Sequence, residues 1–155
     1  LSSHMQIFNR HNELLIDTGD NERYFDSMNL ADADFAGKVL EGVNFDDCDV
    51  SQANFSKCNL YGARFYRTNA SRASFQQADL RGAVFDEANL TDANLTDADL
   101  SRDNMNSSTS LQDANLSNAI LKGTGLGGAT YNDRTIFPNG FDPALAGMIK
   151  TNNSE

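Results

Sequence analysis

The sequence has little of what builds a metal, redox or catalytic centre. It holds two cysteines, Cys48 and Cys58, and, outside the opening LSSHM, a single histidine, His11. Two cysteines are too few for a disulfide scaffold. With no histidine or third cysteine beside them they suggest neither metal nor redox chemistry and read as small core residues. Basic residues are also scarce, 12 Lys and Arg against 22 Asp and Glu, for a net charge of −10 over 155 residues. That balance argues against nucleic acid or an anionic membrane as a partner, and an isolated basic stretch on such a chain gains little phosphate neutralisation. No apolar run approaches the ~18 residues of a membrane span. No nucleophile, base and orienting group fall together, so the expectation is a chain that is not an enzyme and has no cofactor and no metal. The opening LSSHM reads as a cloning remnant with Met5 as the natural start, and a cytoplasmic location is expected.

What the sequence does have is a period of five. The stretch Asp86 to Leu100 reads DEANL TDANL TDADL. Stepping by five from Phe25, the closing residue is large and apolar through Met105 with only Ala70 small. After one extra residue within NSSTSL the series resumes at Leu111 and runs to Tyr131. Two positions before most closing residues lies a small one, such as Ala53, Cys58, Ala63, Ala78 or Ala93, and between the two sits mostly Asn or Asp. A helix repeats every 3.6 residues and a strand every 2.0, so neither accounts for this. The small and large residues lie two apart and share one side of extended backbone. The next two residues read as a corner, as in Glu41-Gly42, Tyr61-Gly62 and Arg81-Gly82. Glycine second in a corner suits the φ > 0 of a type II turn. Four such sides close a square coil of 20 residues, which stacks Phe25, Phe45, Phe65 and Phe85 in one column, Phe35, Phe55 and Phe75 in another, and Leu40, Leu60, Leu80, Leu100 and Leu121 in a third.

The A(D/N)LXX words resemble the pentapeptide-repeat family over about Asn21 to Tyr131, and the tail Thr135 to Met148 is similar to the C-terminal segment of cyanobacterial members. The resemblance implies an all-β fold, a right-handed quadrilateral β-helix, here of about five and a half coils. The expected organisation is a remnant at 1–4, an N-terminal cap at 5–20, the repeat at 21–131, a C-terminal cap at 132–150 and a disordered tail at 151–155. The N-terminal cap is expected as a hairpin or extended segment with Ile7, Phe8, Leu14, Leu15 and Ile16 inward. The C-terminal cap is expected to use Phe137, Pro138, Phe141, Met148 and Ile149, with a short helix started by Asp142-Pro143. The chain is expected to be a monomer, or a dimer through a terminal cap.

Charge along the chain becomes charge along the axis of such a rod. Glu13 to Asp49 holds eleven acids and two bases, Lys57 to Arg81 five bases and one acid, and Asp86 to Asp99 five acids and no base. Tyr61, Arg64, Tyr66, Arg67, Arg72 and Arg81 in the middle band form the candidate protein-binding surface, because arginine and tyrosine are favoured at binding hot spots. The competing reading is a charge ladder, with Arg67 between Asp47 and Glu87, and Arg81 in the column of Glu41 and Tyr61. Asn106 to Ser110 is a second candidate contact site, as a protrusion. GTGLGG at Gly123 to Gly128 matches a dinucleotide loop on paper but falls in repeat register, and the sequons at Asn69, Asn89 and Asn94 follow from the repeat itself. The resemblance implies a rigid module for protein–protein contact with an unidentified protein partner, since one cyanobacterial relative acts in heterocyst regulation through protein contact. It also leaves open an acidic mimic of DNA that binds DNA gyrase, as some quinolone-resistance relatives do, and a purely structural spacer.

Overall fold

A computed structural model of the chain describes residues 4–153. Its body is a solenoid of four flat faces, each a column of parallel bridges between successive coils. Face 1 centres on Tyr24, Asn44, Arg64, Val84, Ser110 and Thr130; face 2 on Asn29, Asp49, Asn69, Asn89, Asn115 and Ile136. Face 3 centres on Asp34, Asn54, Ser74, Asn94 and Ile120; face 4 on Val39, Asn59, Asp79, Asp99 and Gly125. Five turns of the coil therefore separate Tyr24 from Thr130.

One word shows why Asn and Asp recur. Phe45 N donates to Arg64 O and Asp47 N to Tyr66 O in the next coil, Asp49 N donates to Met28 O in the previous one, and Cys48 N closes the turn on Phe45 O. The first corner residue, Asp46, has no backbone acceptor, and Asn44 Oδ1 takes its N–H at 2.7 Å. The same side-chain cap recurs from Asp49 to Ser51, Asn54 to Ser56, Asn89 to Thr91 and Asn115 to Ser117. Asn and Asp thus satisfy the one donor per word that stacking leaves over.

The corners carry positive φ at their second residue. Glycine fills some, and fifteen non-glycine residues share that conformation, all but Asn12 and Asn106 of them at corners from Ser27 to Asn118. The repeat therefore imposes the left-handed region on Gln, Lys, Arg and Glu alike, at about 1 kcal/mol or more for each.

Inside, the phenylalanine columns form two ladders. Phe35–Phe55, Phe55–Phe75, Phe45–Phe65 and Phe65–Phe85 stack nearly parallel with centroids 4.8–5.1 Å apart. Across the core each ladder meets the other edge to face, as in Phe55–Phe65 at 89°. Stacked and edge-on pairs add roughly 0.5–1.5 kcal/mol each beyond burial. In the small slot, Cys48, Cys58 and Thr68 donate to the carbonyls of Phe25, Phe35 and Phe45. Burial pushes both thiols up to about 11, which keeps them protonated and unreactive.

The irregularity is larger than the one residue expected. Val84 bridges Ser110 and Asp99 bridges Gly125, so this coil has 26 residues, six more than each coil before it. Met105 does not enter the core; it is 83% exposed, on a loop spanning residues 101–108. The wall resumes with Thr109, fully buried and donating to Leu80 O, and Leu111. The column Leu40, Leu60, Leu80, Leu100 consequently continues into Leu126, not Leu121.

At the N-terminus, β1 (His4–Phe8) and β2 (Leu14–Gly19) form an antiparallel hairpin. Met5, Ile7 and Ile16 are buried, whereas Leu14 faces solvent at 50% exposure, contrary to its expected inward place. His4, assigned to the remnant at 1–4, is paired with Gly19; residues 1–3 lie outside the described residues. The hairpin end docks on face 3 through Arg10 N to Asp32 O and Asp34 N to Phe8 O. At the other end, β3 (Thr130–Tyr131) pairs in parallel with β4 (Ile149–Lys150). Tyr131, Phe137 and Phe141 form an aromatic chain and Met148 is buried, while Ile149 points outward from the paired strand. The expected short helix does not form. Asp142 Oδ1 caps Ala144 N and Leu145 N, one turn closes from Ala146 N to Asp142 O, and Gly147, at φ +80°, ends it. The expected disordered tail is also corrected as far as it is described: Thr151 N bonds Tyr131 O, and Asn153 Oδ1 accepts from Asp133 N. Residues 154–155 lie outside the described residues.

Candidate protein-binding surface

Stacking brings five of the six expected residues to face 1 and its two edges. Tyr61 and Arg81 lie on the corner between faces 4 and 1, Arg64 projects from face 1, and Tyr66 and Arg67 form the corner between faces 1 and 2. Arg72 lies one corner further on, between faces 2 and 3.

Five of these side chains are held by acids. Arg64 reaches Asp46 at 3.0 Å, and the other oxygen of that carboxylate accepts Tyr66 N at 2.9 Å. Arg64 occupies the position where Asn or Asp normally caps the turn, so Asp46 from the coil before supplies the missing acceptor. Arg67 approaches Glu87 at 3.4 Å, one coil on, and lies over the Tyr66 ring at 5.0 Å. Glu87, hydrogen-bonded to both side chains, raises the Tyr66 phenol and also raises Arg67. Arg81 grips Asp79 in its own word through two bonds of 2.9 Å rather than Glu41 two coils away, and it sits over the Tyr61 ring at 5.6 Å. Those bonds hold the Asp79 carboxyl below its usual range. Arg72 is exposed, with φ at 59°, and makes no ion pair among the described residues.

Asp103 and its loop were not legible as part of this surface. Tyr61 Oη donates to Asp103 Oδ2, and Asp103 Oδ1 accepts from Met105 N and Ser107 N, so one carboxylate closes the loop and ties it to the corner ladder. The Tyr61 hydrogen bond is the main cause of the lowered Asp103 pKa. A signal existed: if Met105 closed a word, Asp103 would occupy the small inward slot, where an unpaired carboxylate is costly to bury. Thr109, two residues before Leu111, fits that slot.

GTGLGG lies in the wall, with Leu126 buried and Gly123 and Gly128 at corners. The side chains of Asn69, Asn89 and Asn94 each cap a turn. Among the described residues no group of three or more His, Cys, Asp or Glu is arranged to hold a metal ion, and no helix is long and apolar enough to cross a membrane.

Comparison with known proteins agrees with this architecture. The chain is similar to the pentapeptide repeat protein Rfr23 of the cyanobacterium Cyanothece 51142, at 29% identity and a TM-score of 0.60, over 64% of each chain, so it spans just under two thirds of that protein. It is similar to alr5209, a pentapeptide repeat protein of Nostoc Pcc 7120, at 29% identity and a TM-score of 0.56 over 84% of this chain and 86% of that one. A pentapeptide repeat protein of the Arabidopsis thaliana thylakoid lumen is 34% identical over 70% of this chain and 68% of its own, with a TM-score of 0.49. A search of curated proteins finds no match. The pentapeptide repeat region family matches residues 38–135. With that match spread over the five-residue words, the Asn and Asp turn caps and the four-sided stack, the chain belongs to the pentapeptide-repeat family.

Proposed function

We propose that this protein is a rigid, non-catalytic binding module whose Tyr61–Arg81 band docks on an acidic surface of a protein partner. Arg72 carries the reading. It occupies a left-handed corner at a conformational cost, is exposed, and has no ion pair among the described residues to offset that cost. Arg64, Arg67 and Arg81 are oriented by carboxylates yet keep 37–58% of their side chains exposed. Guanidinium groups fixed in advance lose little entropy on binding.

The test compares wild type with the Arg64, Arg67, Arg72→Glu variant in a pull-down from source-organism lysate, with circular dichroism confirming that both are folded. A partner kept by wild type and lost by the folded variant supports the reading. Equal retention assigns the arginines to the charge ladder alone. The acidic balance favours a second reading, a mimic of duplex DNA acting on DNA gyrase, but the arginine band interrupts its negative surface. Inhibition of purified gyrase, unaffected by the charge reversal, would favour that mimic.

A further inference from the structure

Every face of a solenoid ends in a rung with hydrogen-bonding groups that point away from the stack, and the four faces of the first coil end differently. On face 1 the Glu22 carboxylate takes the N–H groups of Arg23 and Tyr24, each at 2.9 Å. On face 3 the hairpin pairs with Ala33 and Asp34. Faces 2 and 4 have no such cover: the N–H and C=O of Asn29 and of Val39 have no partner among the described residues. Between these two, the surroundings differ. Asn29 is polar, and its side chain caps its own turn. Val39 is a β-branched side chain 66% exposed, beside a recess of about 340 Å³ lined by Met5, Asp20, Asn21, Arg23, Lys38 and Val39. Neither Lys38 nor Arg23 forms an ion pair among the described residues; Arg23 donates to the backbone carbonyls of Asp20 and Glu22.

We propose that the Lys38–Glu41 edge of face 4 is a strand-addition site, which takes an extended, valine-rich and acidic segment of a protein partner as an extra rung above the first coil. The coils below define the pairing. Asn59 N donates to Lys38 O, Leu40 N to Asn59 O and Gly42 N to Tyr61 O. By the same rule a parallel segment accepts from Val39 N and donates to Val39 O and Glu41 O. Main-chain bonds of this kind give affinity, and side chains beside them give specificity. An acidic side chain in the segment meets Lys38 and Arg23, and an apolar one covers Val39. Open, flat edges are blunted elsewhere on this rim, by Glu22 and by the hairpin, as edge strands require. The edge adjoins Tyr61 at its Glu41 end, through Gly42 N to Tyr61 O, but Val39 and Lys38, which the test reads, lie outside the Tyr61–Arg81 band, so the site stands independently of the function proposed for that band.

The probe is a capped heptapeptide of alternating valine and glutamate, titrated into the 15N-labelled full chain, with a valine–lysine heptapeptide as its counterpart. The expected result is a change at the Val39 amide and a rise in its hydrogen-exchange protection of at least about tenfold with the glutamate peptide. Binding should weaken about tenfold in Lys38→Glu and vanish in Val39→Pro. The proline removes an N–H that bonds to nothing among the described residues, so it should leave the remaining amide spectrum in place. Equal binding of the lysine peptide, unchanged binding in Val39→Pro or Lys38→Glu, or no response at Val39 at millimolar peptide would overturn the proposal. So would protection of Val39 that rises with protein concentration alone, which would assign the edge to a second copy of the chain.

Discussion

The coils before the loop place Phe25, Phe45, Phe65 and Phe85 on face 1 and Phe35, Phe55 and Phe75 on face 3, whereas the coils after it place Leu111 and Leu121 in the same columns. The two regions share backbone bonding and turn caps but hold their register differently. Phe55 and Phe65 each touch nearly parallel rings above and below and perpendicular rings across the core. A slip by one word there would set rings against aliphatic side chains. After the loop, Leu111, Leu116, Leu121 and Leu126 are interchangeable, so register rests on the C-terminal cap and on the side-chain bonds of Gln112, Asn132 and Thr135. Six extra residues are accommodated where the ring ladder of face 1 has ended, at Phe85 over Leu111.

The largest expected effect tests this contrast directly. Phe55→Ala leaves a void in the middle of a ladder and should cost about 4 kcal/mol, and Leu116→Ala beyond the loop about 3 kcal/mol. Both are read from urea unfolding. Equal losses would remove the energetic distinction between ring and leucine columns.

A second comparison sets corner against corner. Gly62 and Arg72 occupy equivalent second positions, at φ +68° and 59°. Nothing lies within 4 Å of a Cβ built on Gly62, so Gly62→Ala isolates the backbone cost, about 1 kcal/mol. Arg72→Gly should run the other way, gaining up to about 1 kcal/mol while losing any partner that the arginine holds. A loss of stability in Arg72→Gly would mean that this side chain contributes to the fold.

Most of the fold was legible because one period specifies it: the closing residues, the four faces, the phenylalanine columns and the positive φ at the corners follow from counting by five. The errors fall where that count was followed without asking what each slot can bury. Met105 kept the count but brought Asp103 into an inward slot, and Leu121 was then placed one face out. Asp142-Pro143 has the start signal of a helix, but Gly147 and the return into β4 stop it after one turn. Of the surface, the ladder from Arg67 to Glu87 was legible as a 20-residue spacing. The grip of Arg81 on Asp79 was not, because a partner two residues away depends on the rotamer and not on the period.

Removal of Ser101–Asn106 sharpens the view of the loop. It leaves Ser107-Ser108 as a corner and restores a coil of 20 residues. The deletion loses the Tyr61–Asp103 bond, worth about 1 kcal/mol, and shortens a closed loop, which recovers a fraction of that. The net change should stay within about 1 kcal/mol, with the β-rich circular dichroism unchanged. A collapse of stability would show that the loop, and not the flanking columns, sets the register.

The smallest effect separates two aspartates by the sign of their pH dependence. Arg81 holds Asp79 below its usual range, so its stabilising contribution is present above the unfolded carboxylate pKa of 3.8 and is lost as pH falls through the lower folded value. Asp86 lies on the corner beyond the arginines; its Oδ1 is buried without a hydrogen-bond partner, and burial raises its carboxyl. In the folded chain it binds its proton more tightly than in the unfolded one. Its contribution is therefore favourable below pH 3.8 and is lost as pH rises through the folded value, leaving a penalty at neutral pH. Asp86→Asn should raise stability at pH 7 and change little at pH 3, whereas Asp79→Asn should lower it at pH 7 and flatten the acid limb. Urea midpoints of both variants between pH 3 and 7 read the two signs in one series. A neutral-pH loss in Asp86→Asn would mean that this carboxylate, like Asp46 and Asp79, is part of the ladder that bridges the two regions.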